Sequence, residues 1–559
     1  MYVMYRTSTR PVTPQINRVE LPRTPMTASP RYVLAIDLGT SGPKAALVSE
    51  HGEVFARAIR TIVTRLIPPN GAEQDPDDVW GAVVSAIREI NGAAGVSPAS
   101  IVAVAVASQY FSIVPVGADG EAVGPLLLWQ DGRGGPHSIA LHSKHPTAFP
   151  RWMEIHGIPP LPSGADSLSK MLWVKAERPD VYERTRCFLE PVDFILARLS
   201  KRFTANICTA FSMLLTSQQD LATLSWDEEL VEMSGIDPER LPALVSPNSV
   251  IGKIDAVVAE DLGLSPKTVI ISGVNDTQAA AVATGAFRPS AGALNAGTTG
   301  QVLAGIEMKK GDLAKSLVSM PSAVAGRYMV MAENGIAARS LDHFLRSIVF
   351  ANDPLADHLQ DDPFASVDAA VESTPPGAGG LLFLPSLTGT VSPNANDHAR
   401  GAFINIGLET DRARMVRAVF EGVAFSLRGL LTAVEEFTGG SYSELRFSGG
   451  GARSDAWARI FADVIGRPIH PLADPVHASN RASALLAFQA LGIASLDDID
   501  RFCPIRGTFE PRTEYRAPYD HLFGQFQAAY AALQPVFHSL NGPGAPPTNL
   551  EAINPVTRA

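Results

Sequence analysis

From Tyr32 onward, apolar blocks of strand length give way to helical spacing and back again in a regular order. "YVLAI", "KAALV" and "EVFARAI" are short apolar segments separated by glycine-containing turns, which predicts a three-stranded antiparallel meander. "DPDDVWGAVVSAIREI" then sets Val79, Trp80, Val83, Ala86 and Ile87 at helical spacing behind an acidic first turn. "IVAVAVASQ" follows as a fully buried strand. This βββαβ order departs from the strict βα alternation of a dinucleotide-binding sheet. Neither G-x-G-x-x-G nor G-x-x-x-x-G-K-[ST] occurs, so a nucleotide would be held by other means. A second half echoes the first: "GALNAGTTGQVLAGI" is again strand, glycine-rich turn, strand.

The chemistry gathers where these strands end. In "AIDLGTSGPKAAL", Asp37 and Lys44 flank a turn of Gly39, Thr40, Ser41 and Gly42, whose small side chains leave backbone N–H groups open. A phosphate and a metal would fit there, and so would an ordinary hairpin with a solvated lysine. Gly297, Thr298, Thr299 and Gly300 form a second cradle of amides and hydroxyls, although Gly-Thr turns are also common in plain hairpins. "ELRFSGGGARSDAWARIFADVIG" predicts a strand to Phe447, then three glycines. Ser454 there caps a helix whose apolar face is Trp457, Ile460, Phe461 and Val464. That glycine run lets a flat ligand approach the backbone, or simply makes a tight turn. In "VIISGVNDTQAAAVATGAF", the strand Val269–Ile271 leads to Asp276 before an alanine-rich helix. Asp276 fits two roles, helix cap or general base toward an attacking hydroxyl, and the sequence leaves both open.

Bulk properties exclude whole classes. A chain of 559 residues has room for about two to four domains. With 46% hydrophobic and 18% charged residues it reads as globular, and a net charge of -11 argues against a nucleic-acid surface. Cys187, Cys208 and Cys503 show no paired spacing, which excludes a disulfide scaffold and suits a reducing compartment. No apolar run approaches the roughly 18 residues of a membrane span. The first 31 residues, rich in proline, threonine and arginine, read as a disordered extension, and the segment 539–559 reads as a flexible tail.

Taken in order, these elements resemble the FGGY family of carbohydrate kinases over nearly the whole chain, from about Tyr32 to Leu533. "GAEQDPDDVW", "WQDGR" (Trp129–Arg133, matching W-x-D-x-R), "GIDPERLPALVSPNSVIGKI", "GGLLFLPSLTG", "ARGAFINIGL" and "RAVFEGVAFSLR" carry the resemblance further. It implies an α/β fold of two ribonuclease-H-like domains, of the actin and hexokinase type, around an ATP cleft. The expected division is an N-terminal domain at 32–285 and a nucleotide-binding domain at 286–538. It implies ATP and Mg²⁺ as cofactors and a small sugar or polyol as partner, while the charge, hydropathy and cysteine readings above add the expectation of no nucleic-acid or membrane partner and a cytoplasmic location, with a homodimer as one option. By the same resemblance Asp37 and Asp276 would serve the metal, and Asp276 would be the base. Gly39, Thr40, Ser41, Lys44, Gly297 and Thr298 would hold the phosphates. Gly450, Gly451, Ala452 and Ser454 would bracket the adenosine. Gln109, Tyr110, Asp131 and Arg133 would meet the sugar together with Asp276.

The W-x-D-x-R spelling leans to the xylulokinase-like branch, with departures. Tyr110-Phe111 stands where that branch usually has Met-His, Thr390-Val391 where Glu-Arg is usual, and Asn480-Arg481 in a normally small, glycine-containing stretch. A ketose or polyol kinase is therefore the expectation. Another sugar, a sugar acid or a glycerol-type polyol as acceptor is the alternative, as is a catalytically weak regulator on the same fold.

Overall fold

Two seven-stranded sheets organise the protein, and each is built to the same plan. The structure, a computed structural model, describes residues 30–349 and 363–543. In the first sheet, β1 (Tyr32–Gly39), β2 (Gly42–Ser49) and β3 (Val54–Ile59) form the expected antiparallel meander. The helix α1 (Pro76–Ala94) returns the chain to β4 (Ile101–Ser108), which lies parallel to β1 on its other side. Asp75 caps α1 by accepting from the Asp77 amide. The sheet is completed by β5 (Val250–Lys253), β6 (Val269–Ile271) and β7 (Val274–Asn275), the last two parallel to β4. Helix α2 (Asp276–Ala283) follows directly.

The second sheet repeats the scheme. The hairpin β8 (Ala291–Ala296) and β9 (Gly300–Ile306) is flanked by β10 (Gly311–Asp312), β11 (Leu317–Pro321) and β12 (Tyr328–Glu333). On the other side of β8, after the long helix α3 (Arg412–Thr438), lies parallel β13 (Glu444–Ser448). Helix α4 (Asp455–Ile465) then leads to β14 (Ile469–Pro471) and α5 (Ala478–Ala490). Both sheets thus carry a meander with parallel strands added beside its first member, the ribonuclease-H-like order expected from the sequence.

Strand alternation explains how the sheets are covered. Leu34, Ile36 and Leu38 point into one core with α1, while Val33 and Ala35 point into another with α2 and α5. That second face carries Ala46, Ala103, Ala105 and Ala107, and such small side chains let two helices approach closely. Helix α5 is buried nearly all round, and its Asn480 Nδ2 donates to the carbonyls of Ala35 and Lys44, at 2.9 Å each. The departure noted at 480–481 is therefore a polar pin between a C-terminal helix and the first hairpin, with Arg481 donating to the Gly52 and Phe502 carbonyls.

Residues 1–29 and 544–559, most of the expected extension and tail, lie outside the described residues. Arg31 already belongs to the body, bonding Glu50 through its amide and guanidinium. The last helix, Arg516–Asn541, continues three residues into the segment expected as tail. No helix among the described residues is long and apolar enough to cross a membrane.

Candidate active site

Three adjacent strands of the first sheet end in register. Leu38 of β1 and Asn275 of β7 both pair with Ser108 of β4, so the next residues out are Gly39, Gln109 and Asp276. Open α/β sheets bind ligands beyond the carboxyl ends of such strands. The second sheet does the same: Asn295 of β8 pairs with Ser448 of β13, which brings the Gly297–Gly300 turn beside the Gly449–Ala452 loop.

The first turn is held from several sides. Gln74 Nε2 donates to the Thr40 carbonyl at 2.7 Å, Thr40 Oγ1 donates to Gln109 Oε1 at 2.7 Å, and Trp129 Nε1 donates to Thr40 Oγ1 at 3.1 Å. Gly42 has φ +129°, and a Cβ there would lie 2.2 Å from the Arg60 carbonyl oxygen, so glycine is required. Lys44 and Asp37 are cross-strand partners, with Nζ 3.2 Å from Asp37 Oδ2. In the second lobe, the Ala337 and Ala338 amides bond the carbonyls of Thr298 and Gly297 at 3.1 and 2.9 Å. Gly449, with φ +82°, passes so close to β8 that a Cβ would lie 2.4 Å from Asn295 Oδ1. Ser454 caps α4 as expected, accepting from the Trp457 amide at 3.0 Å while bonding Asp368 at 2.8 Å.

Asp276 is not the helix cap. Asn275 holds that position in a capping box with Gln278, at 2.8 and 3.1 Å. Asp276 is the first helical residue, and its Oδ1 accepts from the Thr277 amide at 2.7 Å. Burial, then the charge of Asp37 and then that of Glu333, raise its pKa to about 7, against the bond from Thr277. Tyr110 stands beside it, its phenol held neutral by burial and by the Asp276 charge, with Oη 3.5 Å from Met331 Sδ on β12. Thr277 Oγ1 reaches the same sulfur at 3.7 Å, so this contact spans the two lobes.

Asp131 and Arg133, expected at the sugar, are engaged first with each other. Asp131 accepts from the Ala72 amide at 2.9 Å and from Arg133 Nη2 at 2.6 Å. Arg133 also bonds Glu73 at 2.6 Å and lies 4.1 Å over the Trp173 ring. Gln109 offers a buried Nε2 that makes no hydrogen bond among the described residues. Phe111 holds a left-handed φ of 55°, a strain of about 1–2 kcal/mol for a bulky residue.

Glu333, Gln301 and Met331 were not singled out from the sequence. Neither was Lys170, which is wholly buried and donates to the Gly164, Ala165 and Asp166 carbonyls at 3.3, 2.5 and 3.3 Å.

Beneath Phe111, Phe211 stacks on buried His156 at 4.9 Å. His156 Nε2 donates to the Phe211 carbonyl at 3.0 Å, and burial pulls the ring pKa down to about 3. An unfolded histidine titrates near about 6.5, so the unfolded chain binds the extra proton and stability falls as pH drops below that value. Between pH 7.5 and 5 this group is expected to remove about 2 kcal/mol. Denaturant titrations at both pH values check this: the loss should shrink by that amount in His156→Gln, and an unchanged loss would contradict it.

Two family models match the chain: the N-terminal domain of the FGGY family of carbohydrate kinases over residues 32–283, and its C-terminal domain over 292–491. The chain belongs to the FGGY family of carbohydrate kinases. The kinase is 26% identical over 504 residues to a xylulose kinase of Bacillus subtilis, covering 89% of this chain and 97% of that one. It is 26% identical over 519 residues to a gluconokinase of Bacillus licheniformis, covering 91% and 95%. A crystal structure of gluconate kinase from Lactobacillus acidophilus shares its fold, with TM-score 0.80 at 24% identity over 92% of this chain and 100% of that one.

Proposed function

We propose that the kinase transfers the γ-phosphate of ATP to a hydroxyl of a ketose or polyol, in the manner of the xylulose kinases among its relatives, with Asp276 as general base. The observation that carries this reading is the division of labour at the start of α2. Asn275 does the capping, which leaves the Asp276 carboxylate for chemistry at the meeting of both lobes.

In this reading the hydroxyl oxygen attacks the γ-phosphorus as its proton passes to Asp276, and the bond to the β-phosphate oxygen breaks to release ADP. Such transfer depends on positioning and charge neutralisation more than on covalent chemistry. The amides of Gly39, Thr40, Ser41, Gly297 and Thr298, with Lys44, would steady the phosphates. Gly450, Gly451, Ala452 and Ser454 would face the adenosine, with the two domains divided at 285/286. Gln109, Tyr110, Asp131 and Arg133 would present the sugar. The donor set fits magnesium, which commonly takes one or two carboxylates together with phosphate oxygens and waters, and Asp37 and Asp276 would supply them. Bound there, Mg²⁺ would neutralise charge developing on the phosphates. The three buried free cysteines suit the cytoplasm as the site of action.

ADP release measured against a panel of ketoses, alditols, glycerol and aldonates, each with a no-sugar control, tests the proposal. Release should depend on one acceptor class and exceed the control at least about a hundredfold, since an ordered acceptor replaces bulk water. Equal release with and without sugar would identify an ATPase and overturn the reading.

A further inference from the structure

Charges around Asp276 are paired unevenly. Lys44 is taken by Asp37, and Arg133 by Asp131 and Glu73. Lys170, wholly buried, is spent on three carbonyls. Glu333 has no such partner. It ends β12 opposite Gln301, which lies opposite Asn295, so three adjacent strands carry one polar ladder at the phosphate-loop end of the sheet. Asn295 Nδ2 donates to Gln301 Oε1 at 2.9 Å, and Gln301 Nε2 to Glu333 Oε2 at 3.1 Å. That neutral amide is the one side-chain donor to Glu333 among the described residues. The same Gln301 Nε2 lies 3.6 Å from Met331 Sδ, which touches Tyr110 and Thr277 of the other lobe. The ladder therefore carries Glu333 to the wall where Tyr110 and the base stand.

We propose that Glu333 is a specificity-determining residue, reaching from the nucleotide lobe to restrict the acceptor to uncharged polyhydroxy compounds and to reject aldonates. This deepens the sugar-kinase reading and rests on it. A sugar acid with its reacting hydroxyl at Asp276 brings one more negative charge into a pocket that already holds Asp276 and Glu333, while Arg133 and Lys170 are already committed. Like charges set side by side in an interface cost enough to decide between otherwise similar ligands, and specificity built this way needs no added attraction for the preferred one. A neutral ketose or alditol meets the same wall as a hydrogen-bond donor, which a carboxylate accepts. The chain's relatives are named for both kinds of substrate, xylulose and gluconate, so charge is the property that separates them.

The test compares kcat/KM for D-gluconate with that for the best neutral acceptor, in the wild type and in Glu333→Gln. The glutamine keeps the shape and can still accept from Gln301. The wild type should favour the neutral acceptor by at least about a hundredfold, and Glu333→Gln should narrow that ratio about tenfold. Glu333→Asp, which keeps the charge, should preserve it. A ratio unmoved by Glu333→Gln, or a wild type that prefers gluconate, overturns the inference while leaving a sugar kinase. Absence of turnover with every sugar and acid instead sinks the sugar-kinase reading. ATP KM and thermal unfolding, measured alongside, separate a specificity change from a general loss of structure.

Discussion

Asp276→Asn is expected to fold like the wild type, to bind ATP–magnesium and sugar, and to turn over about 10²–10⁴-fold more slowly. Stability is expected to hold because the structure gives capping to Asn275 and Gln278, whose bonds the substitution leaves in place. Position 276 is the first helical residue, where asparagine loses only the modest attraction between a carboxylate and the helix dipole, about 0.3–1 kcal/mol. An amide still accepts from the Thr277 N–H but cannot take a hydroxyl proton at neutral pH. Steady-state kinetics paired with calorimetric binding of nucleotide and sugar separates the steps. Near-normal turnover in a folded variant would remove Asp276 from the role of base.

Asp131→Ala is expected to have the second-largest effect, and to show it in two measurements. Asp131 is 1% exposed and holds both the Ala72 amide and the Arg133 guanidinium. Breaking a buried ion pair by removing one partner costs about 3–5 kcal/mol. Glu73 still holds Arg133, so the expected loss is at the low end, about 3 kcal/mol in denaturant unfolding. With Asp131 gone the guanidinium keeps Glu73 and the Trp173 face but loses the bonds to its Nε, and sugar KM should rise at least about tenfold, equivalent to about 1.4 kcal/mol of lost binding, with ATP KM nearly constant. Equal rises in both KM values would place the pair outside the sugar pocket.

Much of this was legible in the sequence because the informative signals are local. An apolar run that closes on an acid or on glycines predicts where a strand stops, and Asp37, Gly39 and Asp276 all stand at or near such ends of one sheet. The capping role of Asn275 was also readable: Asn275 and Gln278 have capping-box spacing, which takes Asp276 out of the cap position. Glu333 was not readable. Nothing around "VMAENG" marks it, and its position follows from cross-strand register with Gln301 and from the approach of the other lobe. Asn480 was visible only as a departure, because its two carbonyl partners lie more than four hundred positions away in the chain. The mutual pairing of Asp131 and Arg133 was hidden for the opposite reason. Both were read as sugar ligands, and their closeness in sequence gave no hint that each is the other's first partner.

The most direct test follows the γ-phosphate itself. ATP labelled at that position, incubated with the kinase and the acceptor that best stimulates ADP release, is resolved into sugar ester and inorganic phosphate. The account predicts one label in a sugar phosphate for each ADP formed in the wild type, and both products lost together in Asp276→Asn. Label appearing chiefly as inorganic phosphate, at a rate indifferent to the sugar, would contradict it.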